Sequence, residues 1–130
     1  MKTIITFGTF DVFHVGHVNL LQRAAAIGDC LIVGISTDQL NYSKKKRYPI
    51  YPEDDRMKIV NGLRYVNLCF FEESMEKKRE YIEYYKADVL VMGDDWQNKF
   101  NFLSDTCEVV YFPRTPSVST TEIIEVISKV

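Results

Sequence analysis

The feature that most constrains the fold is a repeated alternation of short apolar runs with amphipathic stretches. The run "CLIVGIS" (Cys30–Ser36) is apolar almost throughout, which is typical of a strand covered on both faces. The stretch before it, His17–Ile27, has apolar residues at close to helical spacing and is followed by a glycine. Strands that alternate with helices indicate βαβ units. We therefore expect an α/β fold, a single Rossmann-like, doubly wound domain over residues 1–130 with a five-stranded parallel sheet.

The same alternation assigns the other elements of the chain. The predicted strands are Thr3–Phe7, Cys30–Ser36, Val66–Phe71, Asp88–Gly93 and Cys107–Phe112. The predicted helices are His17–Ile27, Glu53–Tyr65, Ser74–Ala87 and Ser119–Val130. The polar segment between residues 37 and 52 is predicted to be a loop. Because parallel α/β sheets bind ligands beyond the carboxyl ends of their strands, the segments that follow the strands form the candidate site.

Composition and charge exclude several classes of protein. The net charge is −2, whereas a general nucleic-acid binder is normally more basic. The apolar runs are much shorter than a membrane span, and the first is too short for a signal peptide. The three cysteines, Cys30, Cys69 and Cys107, lie in apolar stretches, which predicts buried free thiols in a reducing cytosol. We therefore expect a cytoplasmic protein with no membrane and no nucleic-acid partner.

Both histidines of the chain lie in "GTFDVFHVGH", in the predicted turn from the first strand into the first helix. A helix N-terminus favours anions because its N–H groups are unpaired and its partial charge is positive. Gly16 would let the backbone approach a bound group, and Gly8 would permit a sharp exit from the strand. His14 and His17 would add hydrogen-bond donors, so the pattern predicts a phosphate site. The alternative is that the histidines only cap and pack the turn; metal ligation is less favoured because no further ligand lies at a suitable spacing.

Two motifs resemble those of a known superfamily. "GTFDVFHVGH" resembles the HxGH signature of the nucleotidyltransferases, and "RTPSVSTTEII" resembles their second signature, with Val118 where isoleucine is usual. "VMGDDWQNKF" and "LRYV" resemble the glycerol-3-phosphate cytidylyltransferase family, and the resemblance covers essentially the whole chain. It implies transfer of CMP from CTP to sn-glycerol 3-phosphate by direct in-line attack on the α-phosphate. The products would be pyrophosphate and CDP-glycerol, a precursor of teichoic acid or capsule polymers.

The resemblance also implies roles for individual residues around the nucleotide. His14 and His17 would stabilise the α-phosphate as catalytic residues, and Arg114, also catalytic, would grip the phosphates of CTP. Asp11 would orient the turn or support a metal, and Asp95 would contact the nucleoside, with Asp94 as second candidate. The other nucleotide-binding residues would be Gly8, Thr9, Phe10, Ser119, Thr120 and Thr121. The last three would hold the β- and γ-phosphates at a helix N-terminus, although "STTE" is also typical of a capping box.

The acceptor is expected to bind at the basic segment "YSKKKRYPIYPEDDR", which follows the second strand. By resemblance, Lys44, Lys46, Arg56 and Arg64 would hold its phosphate, and Lys44 would also act in catalysis. Trp96 would line the acceptor pocket, with Lys99 beside it, although ordinary packing explains a tryptophan equally well. The segment is slightly longer than the family pattern, so it could admit a larger phosphorylated polyol. A basic run is otherwise most often a solvated loop.

Cofactor and assembly follow from the chemistry and the resemblance. CTP normally arrives with Mg²⁺, which neutralises the leaving pyrophosphate, and no dedicated metal site is evident in the sequence. The family resemblance implies a homodimer. Two alternatives stay open: a cytidylyl- or adenylyltransferase for another phosphorylated alcohol, and a catalytically silent nucleotide-binding module.

Overall fold

In a computed structural model, which describes residues 1–116 and 118–130, the chain forms a five-stranded sheet with all strand pairs parallel. The strands are β1 (Thr3–Gly8), β2 (Cys30–Ser36), β3 (Leu68–Glu72), β4 (Val89–Gly93) and β5 (Glu108–Phe112). The helices are α1 (Val15–Ala26), α2 (Asp38–Lys45), α3 (Glu53–Asn61), α4 (Lys78–Tyr84) and α5 (Thr120–Ser128). The predicted α/β class and its five-stranded parallel sheet are confirmed.

The strand order, β3–β2–β1–β4–β5, creates the place where a ligand can bind. The chain builds outward from β1 through β2 to β3, and then crosses back to β4 on the other side of β1. β1 and β4 therefore flank a topological switch point. Open α/β sheets bind ligands in the crevice at the carboxyl ends of such strands, which here end at Gly8 and Gly93.

Apolar layers cover both faces of the sheet, because successive side chains of a strand point to opposite faces. On one face, Ile4 of β1 belongs to a buried cluster with Leu21 of α1 and Val60 of α3. On the other face, Ile5 of β1 is buried in a cluster with Ile82 of α4. Each fully buried aliphatic side chain of this kind contributes about 1.5–3 kcal/mol to stability. The rigid double layer fixes the edge at which the site is built.

The segment after β2 contains a helix, α2, where a loop was predicted. The Thr37 hydroxyl caps this helix by accepting a hydrogen bond from the Leu40 N–H at 3.1 Å. The amide of Asn41, 2% exposed, donates to the Ser36 hydroxyl at 2.9 Å. A polar cap and a buried amide, rather than an apolar stripe, hold α2 in place, so hydrophobic periodicity gives no sign of it. The helix matters because its last turn carries the first basic residues of the candidate acceptor site.

Several predicted boundaries are also wrong. α1 begins at Val15 instead of residue 17, because His14 is its N-cap. α3 ends at Asn61, before Gly62, and does not continue to residue 65. The predicted helix over residues 74–87 divides into a 3₁₀ turn (Met75–Lys77) and the shorter α4. β3 begins two residues later than predicted, and α5 is shorter at both ends.

The cysteines are free, as predicted, but they differ in burial. Cys107 is buried, whereas Cys30 and Cys69 are half-buried. Burial raises the pKa of the Cys69 thiol to about 11, so this thiol stays protonated and unreactive near neutral pH. In the part of the chain that the structure describes, no helix has the length and apolar character needed to cross a membrane.

Candidate active site

A cleft with a volume of about 490 Å³ lies at the carboxyl ends of β1 and β4. The β1–α1 turn forms one wall, and the end of α2 with the loop after it forms another. The polar and charged residues that line it include Thr9, Asp11, His17, Lys44, Lys45, Arg47, Glu72, Lys78, Asp95, Ser119, Thr120 and Thr121. The cleft therefore brings together most of the residues expected to bind nucleotide.

The two histidines cap helix α1 through their Nδ1 atoms. His14 Nδ1 accepts a hydrogen bond from the Gly16 N–H at 3.0 Å, and His17 Nδ1 accepts one from the His14 N–H at 3.1 Å. The rings are stacked with 3.8 Å between their centroids. Because Nδ1 acts as an acceptor in each ring, the proton of each neutral imidazole lies on Nε2. The cap therefore leaves the Nε2–H group of each ring unused, and both groups lie at the N-terminus of a helix.

Both imidazoles are uncharged near neutral pH. Burial lowers the pKa of His17 to about 3, and the neighbouring His14 adds to this effect. Burial also lowers the pKa of His14. His17 lines the cleft, and the His14 ring stacked on it is not among the lining residues. The capping alternative and the phosphate-site interpretation are therefore compatible, because capping uses Nδ1 and leaves Nε2–H for a ligand.

The structure shows why residue 16 is a glycine, which the sequence alone did not reveal. A Cβ on this residue would lie 2.8 Å from His14 Cε1 and 3.0 Å from His14 Nδ1. Any side chain would therefore displace the His14 ring from its cap. Gly16 is needed for the stacking of the two imidazoles, and not only for a close approach of backbone to ligand.

Asp11 joins the β1–α1 turn to the basic loop. Its Oδ2 accepts the Ile50 N–H at 2.7 Å, and its Oδ1 accepts the Tyr51 N–H at 2.8 Å. The turn itself is unusual, because Phe10 and Val12 both have positive φ, at 55° and 47°. Both carboxylate oxygens thus have backbone partners, which supports the orienting role expected for Asp11 rather than the metal-supporting one.

The N-terminus of α5 closes the other side of the cleft. The Ser119 hydroxyl accepts the Glu122 N–H at 3.1 Å, as a helix cap does. The Thr120 hydroxyl donates to the Asp11 carbonyl oxygen at 2.9 Å, which ties α5 to the first turn. These side chains are committed to the protein, so α5 offers a bound anion its N-terminal N–H groups and Thr121. Ser117 of the second motif lies outside the described residues.

Arg114 is exposed and does not line the cleft. It follows β5 in a segment tied to α1, where the Asn19 amide donates to the Thr115 hydroxyl at 2.9 Å. The structure therefore places Arg114 outside the lining of the cleft in which its expected contact with the phosphates of CTP would be made. Its expected roles in catalysis and nucleotide binding stay predictions.

The basic residues expected to hold the acceptor divide into two groups. Lys44 lines the cleft, and its side chain is exposed to it; desolvation by its neighbours lowers the pKa of its ammonium, and the Glu72 carboxylate acts in the opposite direction. Lys46 is the C-cap of α2, has a left-handed φ of 61° and does not line the cleft. Lys45 and Arg47 line it instead, although sequence reasoning did not single them out.

Arg56 and Arg64 are not where acceptor binding would need them. Arg56 has 0% exposure, and its guanidinium donates to the carbonyl oxygens of Thr9 and Ser36 at 2.8 and 2.7 Å and to Asp38 Oδ1 at 2.7 Å. It is a structural residue under the cleft, so the expected acceptor contact is wrong. Arg64 is exposed between α3 and β3, at the amino end of the sheet opposite the cleft, which does not fit an acceptor contact either.

The turn after β4 contributes Asp95 and Trp96 to the lining, as expected, whereas Asp94 and Lys99 lie outside it. A Cβ on Gly93 would lie 2.7 Å from Asp95 Oδ1, so only glycine lets this carboxylate fold back over the strand end. Trp96 also packs on Phe100, with 5.4 Å between ring centroids. Trp96 therefore both packs on Phe100 and lines the cleft, so the two roles considered for it occur together.

Sequence reasoning missed a buried ion pair in this cleft. Lys78 Nζ contacts Glu72 Oε2, and each side chain is 2% exposed. Lys78 was placed in the predicted helix over residues 74–87, and Glu72 was given no role. The pairing of the last residue of β3 with the first residue of α4 depends on tertiary packing, which a local pattern does not show.

The site has no protein cage for a metal ion among residues 1–116 and 118–130, where no three His, Cys, Asp or Glu side chains come together. Its strongest features are neutral N–H donors and helix N-termini on one side and lysines on the other. This chemistry, at the switch point of a parallel sheet, defines a phosphate- and nucleotide-binding α/β domain.

Comparison with known proteins gives the family. A family profile described as cytidylyltransferase-like matches residues 5–126, and the chain belongs to that family. The chain is 50% identical over 129 residues to a glycerol-3-phosphate cytidylyltransferase of Bacillus subtilis, covering 98% of each chain. It is 45% identical to a protein of the same name from Staphylococcus aureus, covering 95% of this chain and 92% of the other. The resemblance seen in the sequence is confirmed.

A solved structure supports the fold independently. The lipopolysaccharide core biosynthesis protein of Thermoplasma volcanium superposes with a TM-score of 0.75 at 23% identity, covering 88% of this chain and 98% of that one. At this identity the likeness concerns the fold, and it agrees with the Rossmann-like architecture described above.

Proposed function

We propose that the protein transfers CMP from CTP to sn-glycerol 3-phosphate, forming CDP-glycerol and pyrophosphate. The observation that carries the proposal is the pair of neutral imidazoles, His14 and His17, with Nε2–H donors at the N-terminus of α1. The names of the B. subtilis and S. aureus relatives, at 50% and 45% identity over almost the whole chain, support the substrate pair.

The arrangement suits direct transfer at the α-phosphate. A phosphate oxygen of the acceptor attacks the α-phosphorus in line, and the bond to the β-phosphate breaks, releasing pyrophosphate. The Nε2–H of His17, which lines the cleft, donates to an α-phosphate oxygen, where negative charge builds up in the transition state. The His14 ring, stacked on that of His17, supplies the second Nε2–H once the α-phosphate is bound beside the pair. The N–H groups at the start of α5 hold the outer phosphates. No covalent bond to the protein is needed in this sequence of events.

Lys44 and Lys45 line the cleft on its α2 side. We place the acceptor phosphate there, because the two reacting phosphates repel each other and nearby cations offset that repulsion. Holding the attacking oxygen in line in this way lowers the entropic barrier. Arg47 and the loop after it form the outer wall, so this loop sets how large an acceptor can enter.

The remaining expectations belong to the same proposal. Mg²⁺ enters with CTP as part of the substrate, and its charge is balanced by the phosphates. CDP-glycerol supplies the synthesis of a surface polymer, teichoic acid or capsule. The protein acts in the cytoplasm, where CTP is found, and as a homodimer. An adenylyltransferase or a cytidylyltransferase for another phosphorylated alcohol is the alternative that shares this site.

The test is a pyrophosphate-release assay that combines each of the four nucleoside triphosphates with a panel of phosphorylated alcohols and Mg²⁺. We expect the highest kcat/KM for CTP with glycerol 3-phosphate, and CDP-glycerol as the product by mass spectrometry. The double variant His14→Ala/His17→Ala is the control, with turnover reduced by about 100-fold or more. Preference for ATP, or for a different acceptor, would replace this proposal by its alternative, and near-normal turnover in the folded double variant would refute the mechanism.

A further inference from the structure

The floor of the cleft holds a buried ion pair that the nucleotide chemistry does not use. Glu72 is the last residue of β3, and Lys78 is the first residue of α4. Lys78 Nζ contacts Glu72 Oε2, both side chains are 2% exposed, and both residues line the cleft. Burying two charges is costly unless they serve each other or a ligand.

The surroundings of Lys78 hold its ammonium group beside Glu72. Its Nζ lies 4.4 Å from the centroid of the Phe7 ring and 5.1 Å from that of Phe100, and 3.4 Å from Met75 Sδ. Burial lowers the pKa of the ammonium, and the Glu72 carboxylate counteracts this effect. Lys78 therefore serves to hold Glu72 Oε2 in one position.

The other carboxylate oxygen of Glu72 is available. Among the described residues Oε2 has Lys78 as its partner, and Oε1 has no hydrogen-bond partner. No fully buried side-chain nitrogen or oxygen of the described residues lacks a partner, so Oε1 keeps some accessible surface, and Glu72 lines the cleft. The cleft floor thus presents an oriented group that can only accept hydrogen bonds.

We propose that Glu72 Oε1 accepts a hydrogen bond from a free hydroxyl of the acceptor, which makes Glu72 a specificity-determining residue for phosphorylated polyols. The inference rests on the proposed function, whose acceptor phosphate it places near Lys44 and Lys45. A polyol phosphate then spans the cleft, with its phosphate at the lysines of α2 and its hydroxyl at Glu72.

The charge around Glu72 explains why a hydroxyl fits better than an ammonium group. Lys78 neutralises the carboxylate, and Lys44 is close enough for its titration to respond to both residues. A further cation would meet a floor that is already positive. A quaternary ammonium group, as in choline phosphate, also has no hydrogen to donate. A neutral hydroxyl can donate to Oε1 without adding charge.

The test compares two acceptors and four forms of the protein, with CTP and Mg²⁺. The acceptors are glycerol 3-phosphate and n-propyl phosphate, which has the same three-carbon chain without hydroxyls. The proteins are the wild type, Glu72→Gln, the double variant Glu72→Leu/Lys78→Met, and Glu73→Gln. Glu73 is the exposed neighbour and serves as matched control. The double variant replaces the buried pair by apolar residues of similar size, a change that folds well in other buried pairs.

The readout is the ratio of kcat/KM for glycerol 3-phosphate to that for n-propyl phosphate. We expect this ratio to fall by about 10- to 100-fold in Glu72→Gln and in the double variant. A change of this size corresponds to the loss of one hydrogen bond to a charged group. The loss should come from glycerol 3-phosphate, and Glu73→Gln should keep the wild-type ratio. A ratio within twofold of wild type in the double variant overturns the inference while the proposed function stands. Absence of wild-type turnover with glycerol 3-phosphate refutes the proposed function, and this inference with it.

Discussion

Acidification should destabilise the folded protein through His17. Burial lowers the pKa of this imidazole to about 3 in the folded chain, whereas in the unfolded chain it is about 6.5. Between these values the unfolded chain binds a proton that the folded chain does not, so the free energy of unfolding rises with pH across this window. The contribution is complete above the unfolded pKa and is lost progressively as the pH falls below it.

The size of the effect follows from the two pKa values. At about pH 5, some 1.5 units below the unfolded value, the loss is about 2 kcal/mol at about 1.4 kcal/mol per unit. His14 adds to the loss in the same direction, because burial lowers its pKa as well. In His17→Asn the amide oxygen replaces Nδ1 as acceptor for the His14 N–H but does not titrate. This variant should therefore lose about 2 kcal/mol less than wild type on acidification.

Urea titrations at about pH 7.5 and about pH 5 measure the difference, with the fluorescence of Trp96, the only tryptophan, as the signal. Glu73→Gln, at an exposed position, controls for the general effect of a substitution on the pH dependence. Equal losses of stability in wild type and His17→Asn would show that His17 titrates normally in the folded chain. The assignment of neutral imidazoles in the site would then be wrong.

Three further variants test the positioning of the site. Gly16→Ala should lower kcat by about 100-fold, because its Cβ would lie 2.8 Å from His14 Cε1 and displace that ring. Arg56→Met should lower the free energy of unfolding by about 3 kcal/mol, because it leaves a carboxylate and buried carbonyl oxygens without their donor; urea titration measures this. Asp11→Asn should speed hydrogen exchange of the Ile50 amide, whose N–H lies 2.7 Å from Asp11 Oδ2, and raise the KM for the acceptor.

Each of these outcomes has a result that would contradict it. Wild-type kcat in a folded Gly16→Ala protein would show that the position of the His14 ring is unimportant. A stable Arg56→Met protein with a raised acceptor KM would restore the ligand-binding role that its burial argues against. Unchanged exchange at Ile50 in Asp11→Asn would show that the basic loop is held by other contacts. Asn41→Ala is the comparison for Asp11→Asn. It removes the buried amide that holds α2, and its effect on hydrogen exchange at Ile50 shows how much the loop depends on that helix.

The sheet could be predicted because its signals are local. β2 is apolar almost throughout, and its predicted bounds agree with the structure residue for residue. α2 could not be predicted in the same way, because a threonine cap and the buried amide of Asn41 hold it instead of an apolar face. The helix predicted over residues 74–87 was too long, because the local pattern does not show where the chain turns from β3 into α4.

The same distinction applies to the candidate site: residues in local motifs could be predicted, and residues placed by tertiary packing could not. The two histidines were found because a short motif places them at one helix N-terminus. Arg56 was expected at the acceptor phosphate because it matches the basic pattern of the family in type, whereas tertiary packing encloses its guanidinium among carbonyl oxygens. The Glu72–Lys78 pair was missed for the same reason, since its two halves meet only when α4 docks beneath the cleft.

The protonation of the two imidazoles is the most direct test of how the site handles phosphate. Because the chain has only two histidines, a ¹⁵N–¹H correlation spectrum of the side chains resolves both rings. At neutral pH we expect a bare Nδ1 and a protonated Nε2 in each ring, no titration of His17 down to about pH 5, and a shift of both Nε2–H signals when Mg–CTP is added. A proton on Nδ1, a His17 pKa near its ordinary value, or Nε2–H signals that do not respond to Mg–CTP would contradict the account.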